Sequence, residues 1–203
     1  MKKDSLIIAL LVIILMIVFV SCCAQMAHAV EIVEPEDNGE PIWTEDMIAI
    51  HRSAEILRSY GYSDDSEVIQ ALKQAWEQAD KDLHLVARVI KGECGQCSYE
   101  QQVYTGVCIV NRSKAPIFHA DTIEKVIAAP GQYTTLYLTG LNDIPRQNLY
   151  AARDAIDGKH DAPEDLWWQA NFPQGKETWK VIRFKSPYFA STTYFCRGSI
   201  YAN

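Results

Sequence analysis

The stretch EQQVYTGVCIVNR, from Glu100 to Arg112, carries charge only at its two ends and contains no proline. Between them, apolar residues fall on every side of a helix drawn through the segment. A helix that is apolar all round must be covered by protein rather than by water. The sequence therefore predicts a strongly apolar, buried helix here.

Further helical patterns lie on both sides of this stretch. Upstream, apolar residues at three- and four-residue steps form one stripe from Leu83 to Ile90. It is expected to stop near Gly92 and Glu93, because Gly95 and the polar residues around it favour a turn. Downstream, helices are predicted at residues 121–129, closed by a Pro-Gly pair, and at residues 146–159.

The hydrophobic period changes from helical to alternating near the end of the chain. LWWQANF, WKVIRF and YFASTTYFC are predicted as three short strands, separated by PQGKET and KSP. Helices followed by a small antiparallel sheet indicate an α+β fold. We predict that this α+β domain spans residues 81–203.

The region before this domain divides into two parts. Residues 30–43 are acidic, contain two prolines and have few apolar residues, which is typical of a flexible linker. Thr44 is a candidate N-cap for a helix that ends at Gly61, and a second helix is predicted from Ser66 to Ala79. Residues 44–80 are therefore interpreted as a helical hairpin.

Residues 1–29 have the pattern of a secretory signal peptide. Lys2 and Lys3 precede the apolar run LIIALLVIILMIVFV, and the A-x-A site Ala27-His28-Ala29 follows it. Two alternatives stay open, an uncleaved membrane anchor and lipidation of Cys22. All three place the remaining chain outside the cytoplasm, so the membrane is expected to be a partner only through this segment.

The charge balance excludes one class of partner. The chain of 203 residues has a formal net charge of −7, and the leader removes more basic than acidic groups. The exported part therefore has no basic surface for nucleic acid.

The exported part contains four cysteines, two of them in a C-x-x-C motif. In an oxidising compartment an even number of cysteines predicts structural disulfides, here in any of three connectivities. A redox role is disfavoured because the motif follows a helix instead of opening one after a strand. A zinc site would need a second C-x-x-C motif or a pair of histidines with ligand spacing. The sequence has neither, so no metal or cofactor is expected. The cysteines are Cys94, Cys97, Cys108 and Cys196. The histidines of the exported part, none of which has the spacing of a metal-ligand pair, are His51, His84, His119 and His160.

Four segments, in this order and spacing, resemble one family of cell-wall enzymes. They are LVARVIKGE, an Asn-Arg pair eighteen and nineteen residues after its Glu, IEKVIAAPGQY and AARDAIDG. Together they resemble the SleB-like, spore-cortex-lytic type of cell wall hydrolase over roughly residues 83–197. The resemblance implies a lysozyme-like, lytic-transglycosylase-like fold and peptidoglycan glycan strands as the partner.

The resemblance also implies roles for individual residues. Glu93 matches the catalytic Glu, while Asn111 and Arg112 match the Asn-Arg pair. Two positions depart from the family pattern, with Cys97 replacing a second Glu and Thr193 a His. The residues expected to bind substrate are Gln102, Gln132, Tyr133, Trp167, Trp168 and Asn171, with at most one of the two tryptophans facing the groove because strand residues alternate.

Cleavage of a glycosidic bond at neutral pH requires a carboxyl group that still carries its proton. Glu93 is expected to be buried at the end of an apolar helix, which raises a carboxyl pKa. Spacing selects no second carboxylate, so the sequence favours a single-Glu mechanism in which the sugar's own C6 hydroxyl closes on C1. The candidates that were considered are Glu100, Asp121, Asp143 and Asp154.

A rival function belongs to another class. A non-catalytic peptidoglycan-binding protein could keep the same groove without efficient chemistry, and the two departures at Cys97 and Thr193 favour it.

Overall fold

The computed structural model describes residues 32–133 and 143–198. The predicted leader and Cys22 lie outside these described residues. Within them, no helix combines the length and the apolar character that crossing a membrane requires.

The described residues form an α+β fold, as predicted. The helices precede a three-stranded sheet, and a short 3₁₀ turn at Pro116–Phe118 follows the third helix. The helices are α1 (Glu45–Ser59), α2 (Glu67–Cys94), α3 (Tyr99–Lys114), α4 (Ile123–Ala128) and α5 (Arg146–Ile156), and the strands are β1 (Leu166–Ala170), β2 (Glu177–Lys185) and β3 (Ala190–Arg197).

Helix α1 begins where the sequence predicts. The Thr44 hydroxyl accepts a hydrogen bond from the Met47 backbone N–H at 3.2 Å, which satisfies one of the unpaired N–H groups of the first turn. α1 packs against the first half of α2 around a small apolar cluster of Ala54, Ile69 and Leu72.

The structure contains one helix where the sequence analysis predicts two. α2 runs for 28 residues from Glu67 to Cys94. The connecting residues 80–82 are Asp, Lys and Asp, and neither glycine nor proline interrupts them, so nothing local ends the helix. The expected domain boundary between residues 80 and 81 therefore lies inside α2.

Helix α3 is the centre of the molecule, as its composition predicts. Every residue from Gln101 to Arg112 is buried, because α2, α4, α5 and β1 all pack on it. Gly106 lets α3 and α5 approach each other closely, because a Cβ at this position would lie 2.7 Å from the Cβ of Ala155 on α5.

The three predicted strands are confirmed and form an antiparallel sheet in the order β1-β3-β2. β2 and β3 form a hairpin with Lys185 opposite Ala190. On the other edge, Leu166 pairs with Arg197, and a register shift follows between Leu166 and Trp168. Leu166 and Phe195 bury their side chains completely and join the sheet to the helical core.

Residues 32–43, within the predicted linker, contain no helix or strand and make some contacts with the rest of the molecule. Arg146 Nε donates to Asp37 Oδ1 at 2.6 Å, and Arg146 Nη2 donates to the Glu40 carbonyl at 2.6 Å. Ile42 and Trp43 pack against the main core. One acidic side chain of this segment, that of Asp37, thus contacts α5.

Candidate active site

Arg112, at the C-terminal end of α3, connects two segments that are distant in sequence. Its side chain is only 6% exposed. Nε donates to the carbonyl of Trp167 at 2.6 Å, and Nη1 donates to Oε1 of Gln132 at 2.6 Å. A planar guanidinium presents these donors in a fixed fork, so both segments are held at defined positions.

Aromatic rings surround the same guanidinium. Its carbon lies 4.7 Å from the ring centroid of Trp168, 5.3 Å from that of Phe118 and 6.0 Å from that of Tyr133. Cation–π attraction at these distances adds to the hydrogen bonds. We name this group the Arg112 cluster; its members are Arg112, Phe118, Gln132, Tyr133, Trp167 and Trp168.

Both tryptophans of β1 belong to this cluster. Phe118 makes edge-on contacts with Trp167 and Trp168, at centroid distances of 5.4 and 5.7 Å. The register shift between Leu166 and Trp168 explains this, because a bulge interrupts the regular alternation of side chains.

Tyr133 is buried and has an unusual backbone. Its φ of 45° lies in the left-handed region, which costs a residue other than glycine of the order of 1–3 kcal/mol. Burial raises the pKa of its phenol; the charge of Arg112 opposes this shift, and the charge of Glu93 adds to it. The Tyr133 phenol therefore lies within the electrostatic reach of both Glu93 and Arg112.

Glu93 lies in the last turn of α2 and is exposed, so the expected burial of this residue is wrong. The buried stripe of α2 passes from Ile90 to Cys94, four residues later and on the same face. Glu93 is next to this stripe at the surface. The structure thus places its carboxylate at an accessible helix end, close enough to Tyr133 to influence it.

Gln102 has a different position from the one predicted. It is fully buried, and its amide is occupied by protein partners. Nε2 donates to the Cys97 carbonyl at 3.1 Å and to Gln147 Oε1 at 3.2 Å, and Oε1 accepts from Asn148 Nδ2 at 2.8 Å. Its position does not support direct contact with a sugar; it supports the loop that follows Glu93.

The other predicted binding residues lie at the surface or near it. Gln132 is half-buried and bonded to Arg112, while Asn171 directly follows β1 and is exposed. Within residues 32–133 and 143–198, no hydrogen bond joins Asn171 to the Arg112 cluster.

Sequence reasoning assigned no role to Arg112 or Phe118. Arg112 had been matched only as part of a motif, and its partners are 20 and 55 residues away. Phe118 is a single aromatic residue in a short turn, where periodicity carries no signal. An Arg at the end of a strongly apolar helix was the one available clue, because a buried guanidinium must find acceptors.

The prediction of disulfides is wrong for the residues that the structure describes. All four cysteines there are free and buried. Cys94 Sγ donates to Thr105 Oγ1 on α3, whereas Cys97 Sγ lies 3.9 Å from Ser191 Oγ on β3. The two thiols of the C-x-x-C motif thus contact different elements.

Three of the four carboxylates considered as a second catalytic group are held in ion pairs. Glu100 accepts from Lys180 at 2.6 Å, Asp121 from Lys125 at 2.6 Å, and Asp154 from Arg153 at 2.7 Å. Asp143 is exposed, and its carbonyl accepts from Lys91 Nζ at 2.7 Å, which places it next to the end of α2.

No group of three or more His, Cys, Asp or Glu side chains in residues 32–133 and 143–198 is arranged to hold a metal ion.

Comparison with protein families identifies residues 96–193 as a match to the family described as Cell Wall Hydrolase. The matched segment contains the whole Arg112 cluster and begins three residues after Glu93. Searches of curated proteins and of solved structures find no match.

Proposed function

We propose that this protein cleaves peptidoglycan glycan strands outside the cytoplasm, as a SleB-like lytic transglycosylase with Glu93 as its acid and base. The family match to Cell Wall Hydrolase supports a wall-directed hydrolase. The observation that supports the finer proposal is an accessible carboxylate, Glu93, in the last turn of α2 and within electrostatic reach of Tyr133, a member of the Arg112 cluster. The lysozyme-like relationship stays a prediction from the sequence resemblance.

The proposed reaction needs one carboxyl group. Glu93 donates its proton to the glycosidic oxygen between N-acetylmuramic acid and N-acetylglucosamine as the C1–O bond breaks. The Glu93 carboxylate then takes the proton of the C6 hydroxyl on the muramic sugar, whose oxygen closes on C1. The enzyme regains its proton, no water is consumed, and the product ends in 1,6-anhydro-muramic acid.

Sugar binding is assigned to the surface around Arg112. Aromatic faces stack on the apolar faces of pyranose rings, and amides form hydrogen bonds with their hydroxyl and acetamido groups. Trp167 and Trp168 are half-buried and supply such faces, and Gln132 retains amide hydrogens beyond its bond to Arg112. Tyr133, a buried member of this surface, lies within electrostatic reach of Glu93.

One observation favours a second candidate, a non-catalytic wall-binding protein. Glu93 is exposed, without the apolar enclosure expected of a catalytic acid. In addition, the family His position is occupied by Thr193, whose hydroxyl accepts a hydrogen bond from Gln101 Nε2 at 2.8 Å.

Digestion of purified peptidoglycan, followed by mass spectrometry of the soluble fragments, separates these candidates. We expect muropeptides that end in 1,6-anhydro-muramic acid. Reducing muramic ends alone would show that water is the acceptor, which would direct attention to Asp143. Reducing glucosamine ends would place the cut at the other glycosidic bond.

The variant Glu93→Gln tests the assigned catalyst. It should remain folded and bind wall, with activity lower by about 100- to 10,000-fold, the usual range for a general acid–base group. Glu124→Gln is the matched control, because Glu124 is an exposed helix Glu paired with Lys81. Turnover by Glu93→Gln at the wild-type rate would refute the assignment; an inactive wild type that binds wall tightly would establish the second candidate.

A further inference from the structure

We propose that Arg112 is a positioning residue that holds the two halves of the glycan-binding surface in register. This inference rests on the proposed function, because it concerns the same surface. One half is the Gln132–Tyr133 segment after α4, and the other is the Trp167–Trp168 pair of β1.

Arg112 joins these halves through the edge of its guanidinium. The two hydrogen bonds, to the Trp167 carbonyl and to Gln132 Oε1, are both 2.6 Å long. One acceptor belongs to the backbone and the other to a side chain. Together they define the distance between the strand and the segment after α4.

The faces of the guanidinium make the second set of contacts. Trp168, Phe118 and Tyr133 lie within 4.7 to 6.0 Å of its carbon. A lysine keeps the charge but offers neither a planar face nor two donors in a fork. The conservative change Arg112→Lys should therefore uncouple the halves without removing the positive charge.

The backbone of Tyr133 provides an independent indication. A tyrosine at φ 45° persists only where its surroundings hold it, and Gln132, the residue before it, is bonded to Arg112. Arg112 thereby helps to hold the backbone conformation that keeps the Tyr133 ring in the Arg112 cluster.

Arg112 acts through these neighbours and not on the substrate. It is only 6% exposed, and two of its nitrogens are already bonded to protein oxygens. Its low exposure leaves little of the guanidinium for a direct contact with a sugar.

The test compares Arg112→Lys with Arg153→Lys in the full chain. Arg153 is a close control, since it also bonds a protein oxygen, Asp154 Oδ1 at 2.7 Å, and lies 5.1 Å from a tyrosine ring, that of Tyr150. The measurements are binding of a tetrasaccharide of alternating N-acetylglucosamine and N-acetylmuramic acid, the kcat and KM for wall digestion, and the melting temperature.

We expect Arg112→Lys to weaken tetrasaccharide binding and raise KM by roughly 10- to 100-fold, the range that a misplaced binding group produces, with a smaller change in kcat. Arg153→Lys should leave binding unchanged. Phe118→Leu removes one ring from the face of the guanidinium and no group that is assigned to sugar binding. It should shift binding in the same direction and serves if Arg112→Lys does not fold.

Unchanged binding by Arg112→Lys would overturn the inference and leave a structural role only. Where that variant does not fold, unchanged binding by Phe118→Leu would do the same. If the wild type binds the tetrasaccharide without cleaving wall, the proposed reaction fails while the binding comparison still decides the role of Arg112. If the wild type neither binds nor cleaves, both proposals are refuted.

Discussion

Glu93 and Cys94 are adjacent in the last turn of α2, and the helix gives them opposite surroundings. Glu93 is exposed, whereas Cys94 is 6% exposed and bonded to Thr105. Burial raises the pKa of the Cys94 thiol far above its ordinary value, and raises that of Cys108 to about 12. Because the thiolate is the reactive form, these buried thiols are expected to be inert in the folded protein.

Residue-specific alkylation tests this expectation. Iodoacetamide at pH 8 should leave Cys94, Cys108 and Cys196 unmodified in the native protein. After unfolding without reductant, all four cysteines that the structure describes should be labelled, as measured by peptide mass spectrometry.

Cys97 is the fourth cysteine in that experiment. It is buried at the end of the C-x-x-C motif, close to Ser191, and burial also raises its pKa. A cysteine pair that stays unlabelled after unfolding, and becomes labelled only when reductant is added, would contradict the free thiols of the structure.

At the scale of elements, the contact between α3 and α5 depends on the absence of a side chain at Gly106. A Cβ there would lie 2.7 Å from Ala155 Cβ and 3.3 Å from side-chain atoms of Ile90 and Val86. These neighbours belong to α5 and α2, so one position sets the spacing of three helices. Alanine is a better helix former than glycine, but here packing opposes propensity.

We predict that Gly106→Ala lowers the free energy of unfolding by about 1–3 kcal/mol, the usual cost of overpacking a core. Ala155→Gly should also destabilise, by about 1 kcal/mol, through its helix propensity. The double variant should be more stable than the sum of the two single effects implies, because the second change makes room for the first.

Urea unfolding of the four proteins measures this coupling. If the effects of Gly106→Ala and Ala155→Gly simply add in the double variant, the new methyl group at position 106 does not clash with Ala155. That result would contradict the close contact.

At the scale of the whole molecule, His160 links stability to pH. It lies after α5, partly buried, and burial lowers its pKa below the ordinary value of 6.5. The carboxylate of Asp161 opposes this shift, and the ammonium of Lys114 adds to it. Its charged form is therefore disfavoured in the folded state.

The sign of the effect follows from proton binding. Below pH 6.5 the unfolded chain protonates this histidine more readily than the folded protein does, so stability falls as the pH decreases from 6.5 toward the lowered pKa. Above pH 6.5 the contribution is fully present. We predict that His160→Gln loses this part of the pH dependence.

Thermal unfolding of wild type and His160→Gln between pH 5 and pH 8 provides the measurement. The quantity to compare is the difference in melting temperature between the two proteins at each pH. Burial also raises the pKa of Asp157, which makes both proteins more stable as the pH falls and so opposes the effect of His160 equally in each. A constant difference across the range would refute the role of His160.

The sequence alone determined the secondary structure and its class, because those depend on local chemistry. The apolar composition of residues 100–112 predicts the buried α3, the alternating segments predict β1 to β3, and Thr44 caps α1. The one clear error, two helices in place of α2, arose where the sequence has no strong signal for either a break or a continuation.

Only the tertiary structure decided which residues meet at the candidate site. Arg112 contacts Gln132 and Trp167 across 20 and 55 residues of chain, while Gln102 is enclosed by Gln147 and Asn148 of α5. Periodicity assigns a face to each residue of one helix, but it does not specify which other element covers that face. The packing of α2, α5 and β1 on α3 makes that choice, and with it sets the exposure of Glu93 and the separation of the C-x-x-C thiols.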